Sequence, residues 1–368
     1  MGGERGCPML AMAAALAVGT VLVTVAVAVA GDGPLVHSAG TPPARGTTAA
    51  AAQPSLLEAQ QWLNTAPLRA EELRGKAMLV NFWTYSCINS LRALPYVRAW
   101  ADKYRDQGLV VVGVHTPEFE FEKDITNIRQ ATSAYDVRYP VATDSEFAIW
   151  RAFGNEAWPA FYFIGPDGAV RHRVLGEGEY DKSERLIQKL LSEAAGSPVV
   201  GDVTAVRGQG AQAEPDEADL RSPETYVGYA KATNFTSPGG IVQSTSNRYR
   251  AARALPLNHW GLAGVWSVGG EFATLDGASG GIAFRFHARD LHLVMGASSP
   301  GQPVRFRVKL DGRAPGDSHG VDTDANGAGT VTEPRLYQLV RQTRPMMDRT
   351  FEIEFLDPGV RAYVFTFG

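Results

Sequence analysis

Asn81-Phe-Trp-Thr-Tyr-Ser-Cys-Ile-Asn-Ser90 is the stretch on which the fold turns. The run just before it, Ala77-Met-Leu-Val80, is apolar throughout and reads as a strand buried on both faces. Beyond it, Leu91, Leu94, Val97 and Trp100 recur at helical spacing, with Pro95 one turn in. Cys87 therefore lies where a buried strand gives way to a helix. Backbone N–H groups and the positive end of the helix dipole stabilise a thiolate there, so this placement predicts a reactive thiol of lowered pKa. The bland alternative is an inert core cysteine.

The chain upstream begins with a short head containing Arg5, followed by Met9 to Ala30, almost uninterrupted Ala, Val and Leu. That length suffices to span a bilayer, and Ala28-Val-Ala30 also suits signal-peptidase cleavage. Residues 1–30 are therefore expected to be a membrane anchor or a signal peptide, with everything after them exported. Residues 31–54, rich in Ala, Gly, Pro and Thr, read as a tether. Of the two cysteines, Cys7 precedes the apolar run, so a structural disulfide with Cys87 is not expected. With 45% apolar and 20% charged residues the chain is globular, and a net charge of −4 leaves no electrostatic footprint for nucleic acid.

From residue 55 to 196, strand and helix patterns alternate. Leu109-Val-Val-Val-Gly-Val-His115 is a second fully apolar strand, and a helix is expected from Glu122 to Tyr135. Trp158-Pro-Ala-Phe-Tyr-Phe-Ile opens a hairpin turning at Pro166-Asp-Gly168, and Asp181 to Ala194 closes the unit as a helix. Residues 197–221 return to Gly, Ala, Asp, Glu and Pro and read as a linker. Over 222–368 the apolar period becomes two. Ile282, Phe284 and Phe286 alternate with polar residues, as do Val304, Phe306, Val308 and Leu310, and then Phe351, Ile353 and Phe355. Short strands with one apolar face and no intervening helix indicate an antiparallel β-sandwich.

The run NFWTYSCINSLRALPYV resembles the active site of thioredoxin-like proteins, and more closely the extracytoplasmic part of DipZ-type cytochrome c biogenesis proteins. The helix added between the strands is similar to the TlpA-like branch. The resemblance covers 55–368 and implies an α/β thioredoxin fold followed by an all-β jelly-roll sandwich akin to carbohydrate-binding modules. It implies a site of Cys87, Ser90, Trp83 and Pro159, the last as a cis-proline facing the cysteine. One departure governs the chemistry: Ser90 stands where the family has its second cysteine. Asn81 also replaces the buried acid of thioredoxin itself, which leaves Glu118 and Glu120 as candidate acid–base groups. Thr84-x-x-Cys87 fits the inner part of a peroxidase signature, but Val80 occupies the proline position of that signature.

Two further sites are expected from the second half. Asp322-Thr-Asp-Ala-Asn-Gly-Ala-Gly-Thr-Val-Thr-Glu333 matches a twelve-residue calcium loop, with Asp322, Asp324, Asn326 and Glu333 as ligands. Trp260 and Trp266, with Arg285, His287, Arg305, Arg307, Glu352 and Glu354, are candidates for a glycan platform. The expectation is an exported thiol–disulfide oxidoreductase acting on extracytoplasmic client proteins through Cys87 alone. The alternative is a redox-inactive protein that docks a peptide or a glycan.

Overall fold

A computed structural model describes residues 56–252, 254–299 and 301–368. The apolar stretch at Met9 to Ala30 and the expected tether lie outside them. Among the described residues no helix is long and apolar enough to cross a membrane.

The first sheet has six strands: β1 (Trp62–Leu63), β2 (Met78–Trp83), β3 (Val110–His115), β4 (Val141–Thr143), β5 (Ala160–Ile164) and β6 (Val170–Leu175), in the order β1-β4-β3-β2-β5-β6. β2 runs parallel to β3 and antiparallel to β5, and all six of its residues are buried. That burial explains the uninterrupted apolar run: helices cover both faces. The helices are α1 (Ala70–Leu73), α2 (Ile88–Tyr104), α3 (Ile125–Ala134), α4 (Ala148–Phe153) and α5 (Tyr180–Ala195). The expected helix from Glu122 is split by Asp124, which caps α3 by accepting from the Thr126 N–H; a 3-10 turn, Glu120–Lys123, precedes it. Gly113 is required by packing: a Cβ there would come within 2.9 Å of Tyr139 and 3.0 Å of the Trp83 indole.

The segment from 197 to 221 is pinned rather than free. Its Thr204 donates through both N–H and hydroxyl to Glu184 on α5, a carboxylate that also accepts from Trp100, Lys103 and Tyr104. Val199, Val206 and Ala211 pack on the core of the first sheet.

The remaining strands are β7 (Thr225–Tyr226), β8 (Ser246–Tyr249), β9 (Trp260–Val268), β10 (Ala273–Phe286), β11 (Asp290–Ala297), β12 (Val304–Leu310), β13 (Ala328–Val331), β14 (Arg335–Arg341), β15 (Arg349–Phe355) and β16 (Val360–Phe367). All named pairs are antiparallel. The long β10 joins the two layers of this sandwich: its start pairs with β16, and beyond an irregularity at Leu275/Gly280 its end pairs with β15. The alternating residues meet as expected, Phe284 opposite Phe351 and Val308 opposite Ile353. The sandwich is fused to the first domain by apolar contact. Val294, Leu336, Tyr363 and Val364 belong to the thioredoxin-side core, where Tyr363 packs edge-on against Phe121 at 4.8 Å.

Burial alone would raise the Glu184 carboxyl, but bonds from Lys103, the Thr204 N–H and Tyr104 outweigh it and hold it at about 2. A folded-state pKa below the unfolded value stabilises above that unfolded value, and the contribution is lost as pH falls through 4.5 towards 2. Glu184→Gln should therefore lower unfolding stability by about 1–2 kcal/mol at neutral pH, solvent screening taking up part of the shift. The deficit should shrink across that acid window, as read by urea denaturation at several pH values.

Candidate active site

Cys87 is the N-cap of α2, with its backbone still extended, so the sulfur stands at the open end of the helix. The Trp158–Pro159 peptide opposite is cis, as the sequence reading expects, and Cys87 Sγ lies 3.8 Å from the Trp158 carbonyl. The Trp158 indole N–H donates to the Thr116 carbonyl, which ties this corner to the loop after β3. Ser90 is fully buried; its Oγ accepts from the Thr84 N–H at 3.4 Å, and its backbone and hydroxyl both hydrogen-bond towards Cys87. The structure thus brings Cys87, Ser90 and Pro159 together.

The sulfur is not the exposed thiolate that its place at a helix start suggests. Burial pushes the Cys87 thiol up to about 12 and the charge of Glu118 adds to this; the bonds from Ser90 oppose it, and Glu224 reinforces it. The residue is 8% exposed. Desolvation and two carboxylates outweigh the helix terminus.

Those carboxylates come from two domains. Glu118, in the loop after β3, has a side chain only 8% exposed. It accepts from the Tyr226 hydroxyl of β7 at 2.5 Å, and Lys231 lies 3.9 Å away. Burial raises the Glu118 carboxyl to about 7; Tyr226 opposes, while Glu224 and Glu122 add to the rise. Glu224 also meets the Tyr226 hydroxyl, at 3.1 Å. Beneath them Glu122 is fully buried and accepts from the Ser86 N–H and hydroxyl, the Glu118 N–H and the Phe119 N–H. Neither Glu122 nor Tyr226 was legible as a site residue. Glu122 reads as an ordinary helix-start glutamate, and Tyr226 lies 108 positions from Glu118.

Several expected residues fall elsewhere. Trp83 is wholly buried and packs edge-on against His115 at 5.3 Å, so it is a core side chain beneath the site. Glu120 is exposed and paired with Lys123. The Thr84 hydroxyl faces His115, itself buried and held down to about 3 by that burial. The carboxylates of the expected calcium loop have partners within the protein. β13 begins inside the twelve-residue loop and draws its second half into a sheet, and the carboxylates are already occupied. Asp322 takes Arg335 and the Gln338 N–H, Asp324 takes the N–H groups of Asn326 and Ala328, and Glu333 faces Arg335. Among the described residues no group of three or more His, Cys, Asp or Glu side chains is placed to hold a metal ion. Trp260 and Trp266 are fully buried, their indole N–H groups spent on the carbonyls of Thr233 and Ala263. They form core, not a glycan platform.

A cysteine capping a helix, opposite a cis-proline, on a sheet with parallel centre and antiparallel hairpin, defines a thioredoxin fold with a thiol–disulfide type of site. The chain belongs to the thioredoxin-like family of thiol–disulfide oxidoreductases, and over 257 residues it is similar to the DipZ proteins. Residues 52–173 match the family described as AhpC/TSA, and 222–368 match that described as Thioredoxin like C-terminal domain. Protein DipZ of Mycobacterium bovis is 36% identical over 257 residues, covering 68% of this chain and 36% of its own length. The chain thus spans about a third of the DipZ proteins it matches. Thiol-disulfide oxidoreductase YkuV of Bacillus subtilis is 34% identical over 140 residues, 38% of this chain and 94% of the relative. The solution structure of a thioredoxin-like protein in the oxidised form is 35% identical and covers 36% of this chain and 90% of that one, with a TM-score of 0.34.

A thiol held this high is almost wholly protonated at neutral pH. Iodoacetamide should label Cys87 in the folded full chain at pH 7 at least about 100-fold more slowly than a free thiol. Urea should restore the ordinary rate, with labelling of the Cys87 peptide followed by mass spectrometry. Labelling as fast as a free thiol would contradict the burial described.

Proposed function

We propose that this protein carries out thiol–disulfide exchange on client proteins outside the cytoplasm, with Cys87 as its single nucleophile. The observation that carries the reading is the facing pair of Cys87 Sγ and the Trp158 carbonyl at the cis-proline. That corner offers a backbone edge on which an extended client chain can lie beside the sulfur. The named activity of the thiol-disulfide oxidoreductase YkuV supports the same chemistry. The apolar stretch at Met9 to Ala30 supports export.

In the forward step Cys87 gives up its proton and its sulfur attacks one sulfur of a client disulfide. A new S–S bond forms as the client's breaks, and the departing client sulfur takes up a proton. Ser90 has no sulfur with which to resolve this mixed disulfide. Release therefore falls to a second thiol, from the client or from a small molecule, which attacks the client sulfur of that bond: a new disulfide forms between the second thiol and the client sulfur, and Cys87 leaves and regains its proton.

A second reading is favoured by one observation, the burial of Cys87, which opposes the thiolate: the domain then docks a peptide beside Pro159 without redox turnover. The two readings separate in one experiment. The full chain is incubated with a disulfide-bonded reporter peptide and a reduced small thiol. Under the exchange reading a mixed disulfide on Cys87 is trapped, reporter reduction proceeds catalytically, and Cys87→Ala abolishes both. Peptide binding that persists in Cys87→Ala, with no adduct in the parent chain, would establish the docking reading instead.

A further inference from the structure

The carbonyl that faces Cys87 Sγ belongs to a tryptophan whose ring is fixed by its neighbours yet stays partly exposed. We propose that the Trp158 ring, with Trp150 and Phe147, is an aromatic shelf that sets client specificity. It favours clients with an aromatic or large apolar residue next to the reactive cysteine. The proposal rests on the exchange reading above, in which a client chain lies along the Trp158–Pro159 edge.

The shelf is built outward from one buried carboxylate. Asp144, just after β4, is 2% exposed and accepts from the N–H groups of Ile149 at 2.9 Å and Trp150 at 2.8 Å, which fixes the start of α4. The oxygen that takes Trp150 also accepts from the Thr116 hydroxyl at 3.1 Å. Thr116 in turn donates its N–H to the Trp83 carbonyl at the end of β2, and its own carbonyl accepts the Trp158 indole N–H at 3.0 Å. Asp144 therefore sets both the helix that carries Trp150 and the loop that holds Trp158. The two indoles meet with centroids 4.4 Å apart and a tilt of 41°. With its N–H satisfied and a second ring against it, Trp158 has little freedom left to lose when a client binds.

Phe147 adds an independent observation. Its backbone, φ 59° and ψ 26°, lies in the left-handed region, where a bulky side chain is disfavoured and glycine or asparagine would fit with less strain. Its ring meets Trp150 edge-on at 6.0 Å, as does the buried Phe82 of β2 at 5.8 Å. Phe147, Trp150 and Trp158 all keep part of their surface in solvent. A strained backbone that holds a partly exposed ring, where a small polar residue would make the better turn, points to a use for the ring itself.

The position of the sulfur selects the occupant. In a client bonded to Cys87, the residue after the cysteine begins one Cα step, about 3.8 Å, along the chain. Cys87 Sγ is 3.8 Å from the Trp158 carbonyl, so the side chain beside the client cysteine falls at Trp158. An apolar or aromatic side chain there removes the remaining surface of the shelf from water, and a rigid, partly exposed tryptophan is the usual anchor for such a contact.

The test uses three peptides of one sequence, with phenylalanine, serine or lysine after a cysteine that is disulfide-bonded to cysteamine. Cys87 Sγ loses its proton and bonds to the peptide sulfur, while cysteamine leaves and takes up a proton. Adduct formation on the full chain is followed by mass spectrometry of the Cys87 peptide, so that Cys7 does not interfere. The phenylalanine peptide should react at least about fivefold faster than the serine peptide. Trp158→Ala should bring that ratio to about one, Trp158→Phe should keep most of it, and Phe147→Gly should lower it. A disturbed proline corner would slow all three peptides alike and leave the ratio at its parent value, so the ratio reports the ring and not the fold. Equal rates for the three peptides, a preference for lysine, or a ratio unmoved by Trp158→Ala would overturn the shelf and leave the exchange reading standing. If no adduct forms, the same peptides in reduced form are bound to Cys87→Ala and followed by fluorescence polarisation. Tighter binding of the phenylalanine peptide would then sink the exchange reading and keep the shelf; no preference in binding would overturn both.

Discussion

A carboxylate with no exposed surface holds the redox corner together. Glu122 accepts from the Ser86 N–H and hydroxyl just before the cysteine, and from the amides of Glu118 and Phe119 just after β3. A buried charge tolerates this position only if its lone pairs are satisfied, and here donors from both loops converge on it. The two loops are thereby fixed to each other. Phe119 and Phe121 are thereby turned outward onto Tyr363 of the sandwich.

The relation between the domains follows from that outward turn. Aromatic rings projecting from a thioredoxin-like loop need a cover, and the sandwich supplies one from Val294, Leu336, Tyr363 and Val364. Polar clasps then fix the orientation. Arg92 of α2 donates to the Phe367 carbonyl, and Arg341 donates to the Gly210 carbonyl of the connecting strap while pairing with the buried Asp290. With the strap bound to Glu184 at one end and to arginines of the sandwich at the other, the second domain is seated on the edge of the active site. This seating puts β7 close enough for Tyr226 to touch Glu118.

The electrostatics of the sulfur reverse a common expectation. A helix start favours a thiolate, yet the same corner is covered by a second domain and lined by glutamates. The cost of removing a thiolate from water exceeds what one helix terminus returns. A resting thiol of this kind is protected from adventitious oxidation, since the thiolate is the reactive form.

Much of this was legible in the chain itself. The apolar runs Ala77–Val80 and Leu109–His115 could only be strands covered on both faces, and the period-two runs around Phe284, Val308 and Ile353 could only be half-buried strands. The same local reading put Cys87 at a helix start, and the family resemblance put Pro159 opposite it. Such features are carried by consecutive residues, because backbone period and capping act over a few positions. The partners of the calcium-like loop were not legible, because its spacing is local while its pairing is set by β13 against β12 and by Arg335. Trp83, Trp260 and Trp266 misled because a tryptophan in sequence does not declare which side is buried. The protonation of Cys87, and the identity of the groups that govern it, were decided by the tertiary structure alone. Charge and desolvation act through space, and Glu224 and Tyr226 reach the site only once two separate cores have docked.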